Sequence, residues 1–223
     1  IPFKDVAYYK ILRRSIDSRH KPLYRLRVFV STEQPKLEKK IKNYQDVSSK
    51  NAVIIVGSGP CGLFAALKLI ECGLKPIIVE RGKRVEDRKK DIAAIARNQE
   101  LNTESNWCFG EGGAGTFSDG KLTTRINSPF CRQVLETFVE FGAPNDILYL
   151  GKPHIGTDVL RDVIKNMRNE IIRLGGKVYF NSLVEDVVIK NGRIDHIKVN
   201  NETVNCKVII LAIGHSARDT YYM

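Results

Sequence analysis

Short apolar runs alternate with helical patterns along the middle of this 223-residue chain. Residues 53–56 and 76–79 are apolar runs that flank an apolar helical pattern, and this order predicts two buried parallel strands joined by a helix. A third run, residues 208–214, contains no polar position and predicts a strand that is buried on both faces. The pattern therefore predicts an α/β fold built on a parallel sheet.

Other segments carry further periodic patterns. Residues 5–14 show a rough helical stripe. Residues 24–30 alternate, with Leu26, Val28 and Val30 on one face, which predicts a strand. Three later segments predict helices, and Asn191-Gly192 between two alternating runs predicts a β-hairpin. The helices are expected over 84–100, 130–141 and 157–174, and the hairpin strands over 184–190 and 193–199.

These patterns predict two domains. Residues 1–46 are expected to form a small, basic α+β domain with its linker, because the polar segment 31–50 predicts a linker or a frayed helix. Residues 47–223 are expected to form the main domain, which a helical insertion interrupts at about 84–174. No internal repeat or low-complexity segment breaks this division.

The turn after the first apolar run is the sequence Gly57-Ser58-Gly59-Pro60-Cys61-Gly62. In a Gly-x-Gly-x-x-Gly turn the first glycine makes the tight bend, the second lets the backbone approach a pyrophosphate, and the third lets the helix pack against the strand. Glu80 ends the second strand, where a carboxylate accepts hydrogen bonds from a ribose. This context favours dinucleotide binding over an ordinary βαβ unit with a glycine-rich turn, and it leaves the dinucleotide open.

A second glycine cluster, residues 110–122, holds five glycines in 13 residues. Such a segment can form a nest of backbone N–H groups that holds an anionic group. The competing interpretation is a mobile surface loop or a hairpin turn. With the first motif in the same chain, we expect the second cluster to be a further cofactor contact, through Gly112, Gly113, Ala114, Gly115 and Thr116.

Composition excludes several classes of site. The five cysteines are scattered and form no Cys-x-x-Cys pair, which argues against a zinc site and a dithiol centre and favours a reducing compartment such as the cytoplasm. We therefore expect no metal. No apolar run reaches the ~18 residues that cross a bilayer.

The net charge of +11 is concentrated in the first 50 residues, which carry 13 Lys and Arg against 5 Asp and Glu. A basic segment can bind nucleic acid, but no nucleic-acid motif accompanies it, so a solvated basic surface is the favoured interpretation. His154 and His215 are weaker candidates for an acid or base at a redox centre, because an imidazole titrates near neutral pH. Each is more often a hydrogen-bonded loop histidine.

Four stretches resemble one known family. They are 57–62 with 79–82, 109–122, 152–158 and 210–220. In these stretches the chain is similar to the uncharacterised bacterial FAD-dependent dehydrogenases, also called NAD(FAD)-utilising dehydrogenases, which have a glutathione-reductase-type Rossmann domain.

The resemblance implies FAD at the first motif, and a Rossmann-like FAD-binding domain with a small β-meander that contains the hairpin. It places the ADP half on Gly57, Ser58, Gly59, Pro60, Cys61, Gly62, Glu80 and Arg81, and the adenine near the backbone of Val184. It also places Ala212 and Gly214 beside the cofactor. Such proteins continue well beyond this point with a Gly-Asp element for the flavin side, so the chain is expected to be an N-terminal fragment.

Three functions remain open from the sequence. The first is a flavin-dependent oxidoreductase, with a nicotinamide dinucleotide, NAD(P)H, as a candidate electron donor. The second is a dehydrogenase with a plain Rossmann unit, for which Glu80 favours NAD over NADP. The third is a flavoprotein or binding module that associates with nucleic acid through the basic N-terminal segment. The substrate and the oligomeric state are not indicated.

Overall fold

The computed structural model describes residues 2–36, 42–97 and 101–222. Two short 3-10 helices, Phe3–Asp5 and Asn145–Leu148, accompany the main elements. In chain order the strands and α-helices are β1 Tyr8–Asp17, β2 Leu23–Ser31, β3 Ala52–Val56, α1 Pro60–Glu71, β4 Lys75–Val79, α2 Val85–Ala96, α3 Pro129–Glu140, α4 Thr157–Arg173, β5 Lys177–Tyr179, β6 Val184–Lys190, β7 Arg193–Val199, β8 Glu202–Asn205, β9 Ile209–Leu211 and α5 Arg218–Tyr221.

The chain divides into two compact units. The first combines the described residues within 1–41 with Asp119–Val159, and the second combines Lys42–Ser118 with Leu160–Met223. The sequence assigned 119–159 to an insertion in the main domain, whereas the structure joins that segment to the N-terminal hairpin. Backbone hydrogen bonds on both sides of Arg14, to Tyr149 at 2.7 Å and from Gly151 at 2.8 Å, make this connection, which no local pattern encodes.

The helix predicted over 5–14 is wrong. After the 3-10 turn at Phe3–Asp5, the segment forms β1, which pairs antiparallel with β2. The register of the pair shifts between Ile11 and Arg13. A bulge shifts the alternation of side chains by one residue. The polar and apolar positions of this segment therefore do not alternate with the period of two by which a strand is recognised.

The second unit is built on a parallel sheet, and the predicted α/β fold class is confirmed. Its strands lie in the order β5-β4-β3-β9. The first crossover connection runs from β3 through α1 to β4, which is parallel to β3. This order corresponds to 3-2-1-4 of a doubly wound fold. An antiparallel sheet in the order β6-β7-β8 follows, which is the expected β-meander.

The two sheets share one apolar core. Ile54 and Val56 from β3 and Val79 from β4 cluster with two meander residues, Val184 and Ile197, all at most 7% exposed. The meander register is set at its first turn, where Asn191 and Gly192 have φ values of 51° and 70°. Positive φ at both central residues is what a two-residue hairpin turn requires, so the predicted hairpin is confirmed.

The last apolar run differs from its prediction. Only Ile209–Leu211 is strand, and Val208 and Leu211 are 52% and 57% exposed, so burial on both faces is wrong for the described part of the chain. Among the described strands, β9 lies at the edge of the sheet, beside β3. Part of the predicted linker, residues 37–41, and the end of the helix predicted to reach Glu100, residues 98–100, lie outside the described residues.

No described helix is long and apolar enough to cross a membrane.

Candidate functional site

Two glycines of the first motif are required by the packing of the protein itself. Gly57 has φ +102°, and a Cβ atom there would lie 2.5 Å from the carbonyl oxygen of Ala212. A Cβ atom on Gly62 would lie 2.0 Å from the carbonyl oxygen of Gly57. Real Cβ atoms do not approach backbone this closely. Gly57 therefore lets the turn lie against the residue that follows β9, and Gly62 lets the start of α1 pack on the turn itself.

Packing of the protein does not require a glycine at position 59. Its φ of −67° and ψ of −178° are open to any residue, and a Cβ atom there would meet only the Cα of Gly113, at 3.9 Å. Gly59 is also the N-cap of α1, and no side chain caps this helix end. The uncapped N–H groups and the dipole favour an anion here, and the missing Cβ leaves room for one. The residues therefore fit a pyrophosphate.

The second glycine cluster lies directly on the first. The backbone N–H of Gly112 donates to the carbonyl oxygen of Ser58 at 2.9 Å, and a Cβ atom on Gly113 would meet the Cα of Gly59 at 3.4 Å. Gly113 has φ +67°, a conformation that favours glycine. The sequence motifs, about 50 positions apart, thus form two adjoining walls.

These walls enclose part of a cavity of about 220 Å³. Small-molecule sites commonly measure ~300–1,000 Å³, so the described residues enclose the space for part of a dinucleotide. The predicted site residues that line the cavity are Gly57, Gly59, Pro60, Cys61, Glu80, Arg81, Gly113, Ala114, Val184, Ala212, Gly214 and His215.

The other predicted residues lie behind or outside this wall. Gly62 packs α1 on β3, and Ser58, Gly112 and Thr116 are buried beneath the lining residues. Gly115 is exposed and has nothing within 4 Å of a Cβ position. Their roles as cofactor contacts stay predictions.

The two candidate histidines lie in different units. His215 is exposed and lines the cavity. His154 is exposed and belongs to the first unit, where its backbone forms an isolated β-bridge with Lys121. Within the described residues, no group of three or more His, Cys, Asp and Glu side chains is placed to hold a metal ion.

Glu80 is the most heavily bonded group of the cavity wall. It is 5% exposed, and one carboxylate oxygen accepts from both the N–H and the hydroxyl of Ser58 at 2.8 Å. The other oxygen accepts from the N–H groups of Gly82 at 2.9 Å and Gly110 at 3.2 Å. A carboxylate offers about four acceptor positions, and these four hydrogen bonds fill them. Glu80 therefore joins both glycine motifs to the end of β4.

Arg81 fixes the outer edge of the same wall. Its guanidinium forms ion pairs with Glu104 at 2.6 Å and Asp219 at 2.8 Å and lies 4.4 Å from the centre of the Phe109 ring. The side chain is 14% exposed. These contacts connect the end of β4 to the segment before the second glycine cluster and to α5.

Arg88 is fully buried and is not among the residues predicted from the sequence. Its guanidinium donates to three backbone carbonyls of the second glycine cluster and the segment before it, and burial lowers the pKa of Arg88 to about 10. One signal was available: Val85, Arg88 and Ile92 share the buried face of α2. A charged residue on an apolar stripe indicates a buried partner.

Glu111 was also missed, although it stands inside the glycine cluster. It is 1% exposed, and one oxygen accepts from the Val85 N–H and from Arg168, both at 2.8 Å. The other oxygen has no partner among the described residues. Burial raises the pKa of Glu111 to about 7, against the opposing effect of these bonds.

Comparison with known proteins identifies the cofactor class. Residues 50–97 match the family model described as the FAD binding domain. This segment contains β3, the first glycine turn, α1, β4, Glu80 and all of α2. The match confirms the prediction that the cofactor is FAD, and the residues that contact it stay predictions.

Relatives match over longer stretches. A protein of Clostridium beijerinckii described as uncharacterized is 43% identical over 238 residues, which cover 99% of this chain and 45% of that protein. A thiamine thiazole synthase of Methanococcus aeolicus is 25% identical over 177 residues, covering 74% of this chain and 55% of that enzyme. The crystal structure of glycine oxidase from Bacillus cereus aligns with 78% of this chain and 58% of its own, at 17% identity and a TM-score of 0.48. The chain spans about half the length of the curated relatives that it matches.

Proposed function

We propose that this chain is the FAD-binding portion of a flavin-dependent oxidoreductase of the NAD(FAD)-utilising dehydrogenase type. The observation that carries the proposal is the open space at Gly59. Packing of the protein accounts for the glycines at 57 and 62, whereas packing does not require the one at 59, and a bound pyrophosphate would. That space lies at the uncapped N-terminus of α1, where a pyrophosphate is favoured.

In this proposal the residues of the cavity bind and orient FAD, and the flavin supplies hydride or electron transfer. Gly57, Gly59 and the start of α1 hold the pyrophosphate. Glu80 shapes the ribose end while it holds the two glycine motifs together. The cavity surface at Val184 and Ala212 faces the rest of the dinucleotide. His215 is the candidate acid or base, since it is exposed at the cavity.

NAD(P)H is the proposed electron donor, and the cytoplasm is the proposed location. The location follows from the five cysteines, all of which are unpaired. Anaerobic addition of NADH or NADPH to the FAD-loaded protein tests the donor, because reduction bleaches the oxidised flavin. A donor of another class is indicated if neither nicotinamide reduces the flavin.

The binding proposal is tested with purified protein incubated with FAD and freed of unbound cofactor. We expect retained absorbance near ~450 nm, the chromophore being the cofactor's own. A parallel titration with NADH separates FAD binding from a plain NAD-binding unit. The proposal fails if the protein retains no flavin, or if it binds NADH and leaves FAD free.

Gly59→Val supplies the specific variant, because its side chain would fill the space at the end of α1. We expect it to abolish FAD retention while unfolding stays cooperative. Gly192→Ala is the glycine control: the residue lies in the hairpin turn, and a Cβ there meets nothing within 4 Å. Its positive φ makes it strained, yet FAD binding should persist.

A further inference from the structure

Arg88 anchors the glycine-rich wall of the cavity to α2. One guanidinium nitrogen donates to the carbonyl oxygens of Glu111 at 2.5 Å and Gly113 at 3.1 Å, and the other donates to that of Asn106 at 2.8 Å. The guanidinium carbon also lies 4.9 Å from the centre of the Phe117 ring. One side chain thus binds four points along residues 106–117.

The anchored segment contains the lining residues themselves. Cys108, Phe109, Gly110, Gly113 and Ala114 all line the cavity, and each lies between two of the points that Arg88 contacts. Other contacts hold single points of this segment: the N–H groups of Gly110 and Gly112 donate to Glu80 and to the carbonyl oxygen of Ser58, and Arg81 lies against the Phe109 ring. Among the described side chains, Arg88 is the one that contacts the segment on both sides of these points, so we expect the position of this wall relative to Gly59 to depend on it.

The shape of the wall is matched to the arginine. A Cβ atom on Gly110 would lie 2.3 Å from Cδ and 2.6 Å from Nε of Arg88. The stem of the arginine therefore occupies the space that a side chain at 110 would take. Gly110 has φ +109°, so the backbone there bends around the arginine in a conformation that favours glycine.

Arg88 forms no ion pair within the described part of the chain, and its Nε lacks a partner there. A buried guanidinium without a carboxylate partner is costly. Its planar fork of donors can hold several carbonyls at once, which an ammonium cannot do. This is a reason for an arginine at a buried position that apolar packing alone would give to leucine or methionine.

We propose that Arg88 is a positioning residue for FAD: it holds the segment 106–117 in the geometry that forms the second wall of the cofactor cavity. The proposal rests on the proposed function for its ligand, and the anchoring itself is a property of the chain without cofactor. Arg88 does not line the cavity, so it acts through the segment and not by contact with FAD.

The chain carries its own probe of the anchor. Trp107 is the single tryptophan, and it follows Asn106, whose carbonyl Arg88 holds. It is 46% exposed, so its fluorescence reports on the mobility of this segment. The experiment compares Arg88→Met with Lys89→Met, which removes an exposed cation from the next position of the same helix. Arg88→Lys keeps the charge without the fork of donors.

In the protein without FAD, we expect Arg88→Met to lower the fluorescence anisotropy of Trp107 and to raise its acrylamide quenching about twofold. With FAD, we expect affinity to fall by ~10- to 100-fold, by analogy with the loss found when a residue that supports a metal ligand is removed. Lys89→Met should match the unsubstituted protein in both measurements. Arg88→Lys should give values between those of Arg88→Met and Lys89→Met in both measurements. If Arg88→Met does not fold, Arg88→Lys is compared with Lys89→Met instead.

The outcomes separate the two proposals. If the unsubstituted protein does not bind FAD, the proposed function fails, and the Trp107 measurements still decide whether Arg88 anchors the wall. If FAD binds normally to the Arg88 variants, or Trp107 is as immobile in them as in the Lys89 control, the positioning role is overturned. A fall in affinity with unchanged Trp107 signals also contradicts it, because the effect would not pass through the segment.

Discussion

Gly59 and Gly113 face each other where the two glycine motifs meet, and a Cβ atom on Gly59 would lie 3.9 Å from the Cα of Gly113. That is an ordinary van der Waals distance, so the protein itself tolerates an alanine at 59. At Gly62 the corresponding atom would lie 2.0 Å from the carbonyl oxygen of Gly57. The same motif therefore contains one glycine that the fold does not require and another that it does.

This difference predicts opposite effects of two alanine substitutions. Gly59→Ala should change the free energy of unfolding by less than about 1 kcal/mol, the size of an N-cap effect, while it weakens FAD binding. Gly62→Ala should lower the free energy of unfolding by about 1–3 kcal/mol, because α1 must move away from the turn. Chemical denaturation without FAD and flavin retention measure the two effects. Equal losses of stability would show that Gly59 is needed for packing.

Glu80 should stabilise the protein even without a ligand, because four donors bond to its carboxylate. Glu80→Gln places an amide donor among these donors, so we expect the free energy of unfolding to fall by about 1–3 kcal/mol. Ser58→Ala is the matched comparison: it removes only the hydroxyl bond and should cost less. Denaturation without FAD is the measurement. Unchanged stability of the glutamine variant would mean that Glu80 acts only on a ligand.

The contact of Arg88 with Gly110 predicts that substitutions at the two positions are coupled. Gly110→Ala should be more destabilising in the natural chain than in an Arg88→Ala background, because the Cβ would clash with the arginine stem. The strain of positive φ at 110 is common to both backgrounds and cancels. A double-mutant cycle of unfolding free energies should give a coupling of about 0.5–3 kcal/mol. Additive effects would contradict the contact between the arginine side chain and position 110.

Glu111 predicts a pH dependence of stability. Burial raises its pKa from the ordinary 4.5 to about 7, so the folded protein keeps a proton that the unfolded chain releases. Its contribution to the free energy of unfolding should therefore fall as pH rises from 4.5 to 7, by up to about 3 kcal/mol. Glu111→Gln should remove this pH dependence. The measurement is denaturation of the natural chain and of the variant across this pH range, and the difference between their unfolding free energies at each pH gives the contribution of Glu111.

Glu86 is the control for that measurement, because it shares Arg168 with Glu111. The hydrogen bond from Arg168 lowers the pKa of Glu86, so its stabilising contribution is present above pH 4.5 and is lost as pH falls. Glu86→Gln should therefore change the profile in the opposite sense. If both variants shift the profile alike, the effect is general and does not belong to Glu111.

Local patterns predicted the elements that are locally specified. The helices that begin at Pro129 and Thr157 and the hairpin at Asn191-Gly192 follow from caps, apolar stripes and turn residues. The strand β2 was predicted over 24–30, but its partner β1 was missed, because the bulge at Ile11–Arg13 breaks the alternation that defines a strand. The exposure of β9 was missed, because a run of apolar residues does not reveal whether its strand lies at the centre or the edge of a sheet.

The sequence by itself determined the βαβ unit and its Gly57–Gly62 turn, since the spacing of glycines and apolar residues is a local property. The spacing left the dinucleotide open, and FAD was indicated by the resemblance of longer stretches to a known family. Only the tertiary structure decided which groups meet at the site. It set Gly113 against Gly59, gave Glu80 four donors from three segments, and buried Arg88 beneath a wall that begins 18 residues later along the chain. These contacts depend on how distant segments pack, and packing has no signature in the order of residues within any one of them.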